Sequence, residues 1–347
     1  MFRLYLLLLL LLFGTPISLF SQNKEEESIL KVDSDTIATD KYVIFRNHLV
    51  LYADFGTVSS PFFIRFKDTL GNPHTLNYRM NHGLLMGIGG SYKSLMLRLG
   101  FMLVNNLENK SKYGKTNYLG IHFAFPIKNT FTELSLIYYG GYALINADKK
   151  IPEYPNKTII YPKISTINIS ASTYYFFNRN FSFNPVLGRS GNYKSKVTSW
   201  YLKGIFGYND VNDKESSIIP EYFHKIVTNR VKASRIGAVE FAVIPGFAYV
   251  NRYKNWQFSG VAGIGVSIQQ KYYHLTDHTR NSMGLAPRVD IKINLGYNPE
   301  DWFVMLNAEL SYKQIRFYNL LYSNPIVGIK LTGGYRFKLK EKDKKSA

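Results

Sequence analysis

The sequence predicts an all-β fold: a transmembrane antiparallel β-barrel of about 12 strands. Three observations carry that reading. Apolar and polar residues alternate over one segment after another, each long enough to cross a bilayer as a tilted strand of about 10 residues. Aromatic residues flank the apolar rows. The chain opens on an export signal. Composition agrees. Aromatics are 16% of the 347 residues and charged residues 19%. That is too aromatic for a disordered chain. An alternating barrel accommodates both values, because lipid-facing and lumen-facing residues interleave along each strand.

The N-terminus reads as an address. Arg3 precedes an apolar stretch with an unbroken Leu run from Leu6 to Leu12, and Gly14 and Pro16 break it before Ser18, Ser21 and Gln22. This is the pattern of a signal peptide, placed at 1–21. No cysteine is present, so no lipoprotein anchor follows. Residues 22–43, with Glu25, Glu26 and Glu27, read as a flexible periplasmic segment. Export and a barrel together place the chain in a Gram-negative outer membrane.

The barrel is read over residues 44–339. In 302–312 one face carries Trp302, Val304, Leu306, Ala308, Leu310 and Tyr312, and the other Asn307, Glu309, Ser311 and, just beyond, Lys313. Residues 95–103, 256–272 and 285–297 alternate in the same way. Short turns fall near Lys93, Asn129, Asn178, Asn255 and Pro299. Longer polar segments lie at 105–115, 146–162, 209–234, 273–283 and 317–324. Short turns belong to the periplasmic side and long loops to the outside. Residues 48–55 and 62–67 read as one strand with a bulge around Ser60. The stretch 181–208 is too long for one crossing and is expected to bulge near 188–192 or to extend past the membrane.

The last strand carries Thr332, Gly334, Phe337 and Leu339, similar to the signal by which the barrel assembly machinery recognises its clients. Residues 340–347, with Lys340, Lys342, Lys344 and Lys345, form a basic C-terminal tail. The net charge is +19. The basic residues are scattered and no nucleic-acid-binding signature is present, so nucleic acid is excluded as a partner. The expected partners are outer-membrane lipid and lipopolysaccharide, the assembly machinery, and an envelope protein.

A tight turn at Pro299 would set Tyr297 opposite Trp302 and therefore Asp290 opposite Glu309. Arg288 and Lys292 would lie diagonally nearby, with Lys330 beside Glu309. Two adjacent carboxylates can share a proton and act as acid and base. The competing reading, which carries more weight, is a bracing network of the kind that buried charges require. Arg98, His122, Lys203 and Arg336 are also predicted to point inward. Cations on that face would favour an anionic solute. His274 and His278, with Asp277 between, would suit a metal only on a helix, so neither metal nor cofactor is expected. No Ser–His pair is assembled by the sequence pattern.

The stretches GIGGSYKSLMLRLGFML from Gly87 and KYGKTNYLG ending at Gly120 resemble an uncharacterised family of Bacteroidota outer-membrane proteins, domain of unknown function 4421. YYFFNRNFSFNP (174–185) and KSKVTSW fit that resemblance less closely. It implies a barrel in the outer membrane and carries no activity or catalytic residue. Three functions are consistent with the sequence. One is a porin-like channel for small, anionic solutes. The second is a structural or assembly component of an envelope or secretion complex. The third, a barrel hydrolase, has the least support.

Overall fold

In the computed structural model, residues 32–33, 36–104, 107–127, 130–145, 147, 158–213, 215–228, 231–275 and 278–339 are described. The expected signal peptide 1–21, the tail 340–347, Asn129 and Asp277 lie outside the described residues. Strands are numbered in chain order. Three short ones come first: β1 (Val32–Asp33), β2 (Thr36–Ala38) and β3 (Tyr42–Phe45). Then follow β4 (His48–Ser59), a hairpin of β5 (Phe62–Lys67) and β6 (Pro73–Arg79), and β7 (Leu84–Tyr92). Next come β8 (Leu95–Val104), β9 (Asn117–Ile127), β10 (Thr130–Ile145), β11 (Thr158–Phe176) and the short β12 (Gly191–Tyr193). The chain ends with β13 (Val197–Asp213), β14 (Arg235–Tyr253), β15 (Trp256–His274), β16 (Thr279–Tyr297), β17 (Trp302–Arg316) and β18 (Leu320–Lys338).

Twelve of these close into an antiparallel ring, β4-β7-β8-β9-β10-β11-β13-β14-β15-β16-β17-β18. The ring shuts where β18 runs against β4, from Val327↔Ser59 to Lys338↔His48. Closure pairs the backbone groups of each crossing strand, which a bilayer demands. The outward rows are apolar and exposed: Leu95, Leu97, Leu99, Phe101 and Leu103 on β8, and Trp302, Val304, Leu306 and Leu310 on β17. Contiguous apolar surface of this extent does not face water. Trp200, Tyr253, Trp256, Trp302 and Tyr335 are exposed at the short-turn ends of their strands, the end expected to face the periplasm and called periplasmic below, as an interfacial girdle requires.

The ring changes size towards the outside. There β5 pairs with the top of β18 (Leu320–Ser323), and β6 pairs with the top of β10 (Ala143–Ile145). The β5–β6 hairpin thus replaces β4, β7, β8 and β9, and the rim has ten strands. The bulge expected around Ser60 is the entry to this hairpin. Asn324 Nδ2 donates to Ser60 Oγ (3.0 Å) and to Pro61 O (2.8 Å). On the other side β10 switches partner at Gly141, whose φ of +88° suits glycine. A Cβ there would collide with the Lys115 carbonyl. Thr116 secures the junction, donating to Gly141 O (3.0 Å) and accepting from Asn81 N (2.9 Å).

Both mouths are covered. Outside, the connection between β13 and β14 folds over the rim. Ile218, Ile219, Phe223 and Val231 are buried against Phe62, Ile64, Phe66 and Tyr78 of the hairpin. Tyr78 donates to Ile218 O, and Thr69 N to Ile226 O (2.9 Å).

On the periplasmic side the structure corrects the sequence reading twice. Asn178 begins a turn, with Phe181 N donating to Asn178 O (3.0 Å), but that turn does not lead directly into the next crossing, and 181–208 is not one long or bulged crossing. Residues 178–196 turn back into the lumen. They form a one-turn helix, Phe183–Val186, with all four residues buried, and then β12, which pairs with β3. The cause is aromatic burial: Phe181 packs on Phe176 (4.6 Å between ring centroids), and Phe183 on Tyr174 (4.8 Å) and Phe131 (4.6 Å). Each such side chain contributes about 1.5–3 kcal/mol when buried. Part of the segment expected to be a flexible lead-in is therefore strand: β2 and β3 join β1 and β12 in a four-stranded sheet.

Candidate functional site in the lumen

Between the two inserts the inward rows of the strands build a belt of charge. Arg98 on β8 holds Asp54 on β4 with two bonds of 2.6 Å, both side chains nearly fully buried. Lys330 on β18 donates to Glu309 on β17 (2.8 Å). Lys203 on β13 pairs with Asp290 on β16, and Arg288 on β16 with Glu240 on β14. Lys292 on β16 reaches Glu133 on β10 with two contacts of 2.8 Å. Those two strands are not neighbours in the ring, so this pair crosses the lumen. Lys313 crosses it too, donating to Asn168 Oδ1 (2.8 Å) on β11 and Asn209 Oδ1 (2.7 Å) on β13.

The expected cluster is present, but its register differs. The chain between β16 and β17 is longer than a tight turn, and Tyr297 faces Val304 rather than Trp302. Lys292 is therefore opposite Glu309, and Asp290 is opposite Ser311. The two carboxylates are not a pair. Asp290 is taken by Lys203 and Glu309 by Lys330, so the shared-proton arrangement is corrected to two separate ion pairs.

Arg98, His122, Lys203 and Arg336 all point inward as expected. Arg98, Lys203, Arg288, Lys292 and Lys330 each hold a carboxylate. No inward row of these cations is left open for an anion. Arg336, 2% exposed, instead clamps the periplasmic insert. It donates to Arg189 O (2.8 Å), Gly188 O (2.7 Å), Pro299 O (2.7 Å), Glu300 O (2.7 Å) and Trp302 O (3.2 Å), and to Asn298 Oδ1. Gln257 Nε2 donates to Pro185 O (2.6 Å) and Ser259 Oγ to Val186 O (2.9 Å). Arg189 of the insert reaches Tyr52 OH (3.1 Å).

Asp54, Glu133 and Glu240 were missed by the sequence reading, as was the contact of Ser135 Oγ with His122 Nδ1 (3.2 Å). A signal existed. Each has the parity of the inward row on its own strand, so alternation applied to every strand would have found them. Two adjoining cavities, about 120 and 170 Å³, share His122, Glu133, Lys292, Glu309 and Lys330 in their walls. Among the described residues no three His, Cys, Asp or Glu side chains converge to hold a metal. His274 contacts Thr279 and His278 contacts Arg280.

No curated protein matches the sequence. Among solved structures, the chain is similar to the outer membrane protease OmpT from Escherichia coli. Identity is 8%, covering 85% of this chain and 98% of that one, with a TM-score of 0.39. It is similar to the translocator domain of autotransporter NalP from Neisseria meningitidis at 8% identity, 84% and 90% coverage and a TM-score of 0.34. It is also similar to the P. putida toluene transporter TodX at 8% identity, 87% and 92% coverage and a TM-score of 0.29. A family model, domain of unknown function DUF4421, matches residues 45–337, from the end of β3 almost to the end of β18. The match takes in the whole barrel with both of its inserts, and the chain is a member of the DUF4421 family.

Proposed function

We propose that this chain is an outer-membrane barrel, exported by the signal 1–21, that rests closed and serves as a structural or assembly component of the envelope. The observation that carries this reading is the Arg336 clamp. A buried guanidinium bound to the carbonyls of Gly188 and Arg189 fixes the insert in the periplasmic mouth. The charge belt supports the same reading, because paired charges that span the lumen brace it. The four-stranded sheet and the tail 340–347 would be the side offered to a periplasmic partner. An enzymatic role loses its motivation once Asp290 and Glu309 are separate.

A second reading, a gated passage for a small solute, is favoured by the two cavities beside the insert. Planar-bilayer recordings separate the two. The closed reading expects no steady current from the wild-type chain where a control porin conducts. A steady open channel would overturn it.

A further inference from the structure

The outward face supplies a contrast to the lumen. On β17 the lipid-facing row runs apolar from Trp302 to Tyr312 and then turns polar at Gln314 and Arg316. Ten residues of tilted strand match an apolar band of about 25 Å, which places Arg316 roughly 10 Å beyond it, at headgroup level. Leu321 on β18 is opposite Arg316 on one side and Arg65 of β5 on the other. Arg65 and Arg316 are thus two strand spacings apart, about 10 Å between Cα atoms, on the same face. Lys67 follows two residues beyond Arg65, also outward and exposed.

No hydrogen bond or ion pair satisfies the side chains of Arg65, Lys67 or Arg316 among the described residues. The nearest carboxylate in sequence, Asp68, is committed to Leu70 N (2.9 Å), Asn72 N (2.8 Å), Asn72 Nδ2 (3.0 Å) and His74 (3.2 Å). Two other outer cations are neutralised, Arg79 by Glu108 and Lys163 by Glu215. The backbone carrying the patch is held from within, since Lys271 Nζ donates to Arg316 O (2.6 Å).

We infer that Arg65, Arg316 and Lys67 form a binding site for the phosphate of a phosphorylated glycolipid in the outer leaflet. Three unpaired cations directly above an apolar wall match an anionic headgroup carried on acyl chains. Arginine suits the ligand because its planar fork binds phosphate oxygens in pairs. The site rests on the outer-membrane reading, because it needs the hairpin rim to face the glycolipid leaflet.

The test uses the full mature chain refolded into phosphatidylcholine vesicles, with insertion scored first by protease protection. Vesicles then receive purified lipid A, the same lipid A stripped of phosphate, or lipid A with excess inorganic phosphate. Bound glycolipid is counted by native mass spectrometry. Arg65→Gln with Arg316→Gln should lower binding of lipid A about tenfold, as should removal of its phosphates, a difference of about 1.4 kcal/mol. Lys163→Gln, on another part of the wall, should leave binding unchanged. Inorganic phosphate should not displace the lipid. Equal binding of stripped and intact lipid A, or full binding by the double variant, overturns the site. Displacement by inorganic phosphate would make it a free-anion site and overturns the lipid assignment. A chain that fails to insert at all contradicts the membrane reading itself.

Discussion

The two mouths of the barrel are closed by different physics. The extracellular cap is an apolar core in which Phe223, fully buried, packs on Phe66 at 5.4 Å between ring centroids, with Ile218, Ile219 and Val231 around it. The periplasmic insert has an aromatic core as well, but polar wall residues aim its backbone: Arg336, Gln257 and Ser259 bind its carbonyls. A core of many apolar contacts can lose much stability with one large side chain and still keep the rest of its contacts in place. The clamp instead concentrates most of its bonds on one guanidinium. The cap therefore behaves as a permanent lid, and the insert as a segment that one substitution releases.

Substitutions in the cap, the clamp, the charge belt and the hairpin tip would break or sharpen this comparison. The largest effect is expected from Phe223→Ala, which should weaken the cap by about 3–5 kcal/mol through lost burial and a cavity. Hydrogen exchange should quicken in 215–233 while the barrel strands stay protected. Arg336→Met should cost about 3 kcal/mol, because several buried carbonyls lose their donor at once. Trypsin should then cut at Arg189 or Lys194 in the folded barrel. Arg336→Lys, which keeps some of the donors, should lose less than Arg336→Met. Lys292→Met, breaking a partly buried pair with Glu133, should cost about 1–2 kcal/mol. Lys292→Met with Glu133→Leu should recover much of that loss, which thermal unfolding would show.

The smallest effect concerns Asp68 at the hairpin tip. The Asn72 side chain, with help from backbone amides and His74, holds its carboxyl down at about 2. A depressed carboxylate stabilises the fold fully above its unfolded value of about 3.9, and the benefit fades as pH falls towards the folded value. Exchange of the amides of Leu70 and Asn72 should therefore quicken between about pH 4 and pH 2. Asp68→Asn should abolish that dependence.

Alternation made the twelve crossings legible because the parity of a strand is a local property. It identified Arg98, His122, Lys203 and Arg336 as inward without any knowledge of neighbours. Register was not legible across residues 298–303, because the turn length is set by a long-range contact of Asn298 with Arg336. The insert was hidden by its own pattern. Phe181, Ser182 and Phe183 alternate like a crossing strand, yet their aromatic rings are buried in the lumen with Tyr174 and Phe176. The ten-stranded rim was equally hidden, since β5 read as the continuation of β4. The charge pairs across the lumen required the closed ring.

Closure of the lumen by the insert can be tested directly, because the chain contains no cysteine. A single Leu187→Cys would place a thiol in the wall of the smaller cavity. In reconstituted vesicles a small impermeant maleimide should label it far more slowly than Leu70→Cys at the exposed hairpin tip, and Arg336→Met should remove the difference. Equal labelling rates in the presence of Arg336 would contradict a closed barrel.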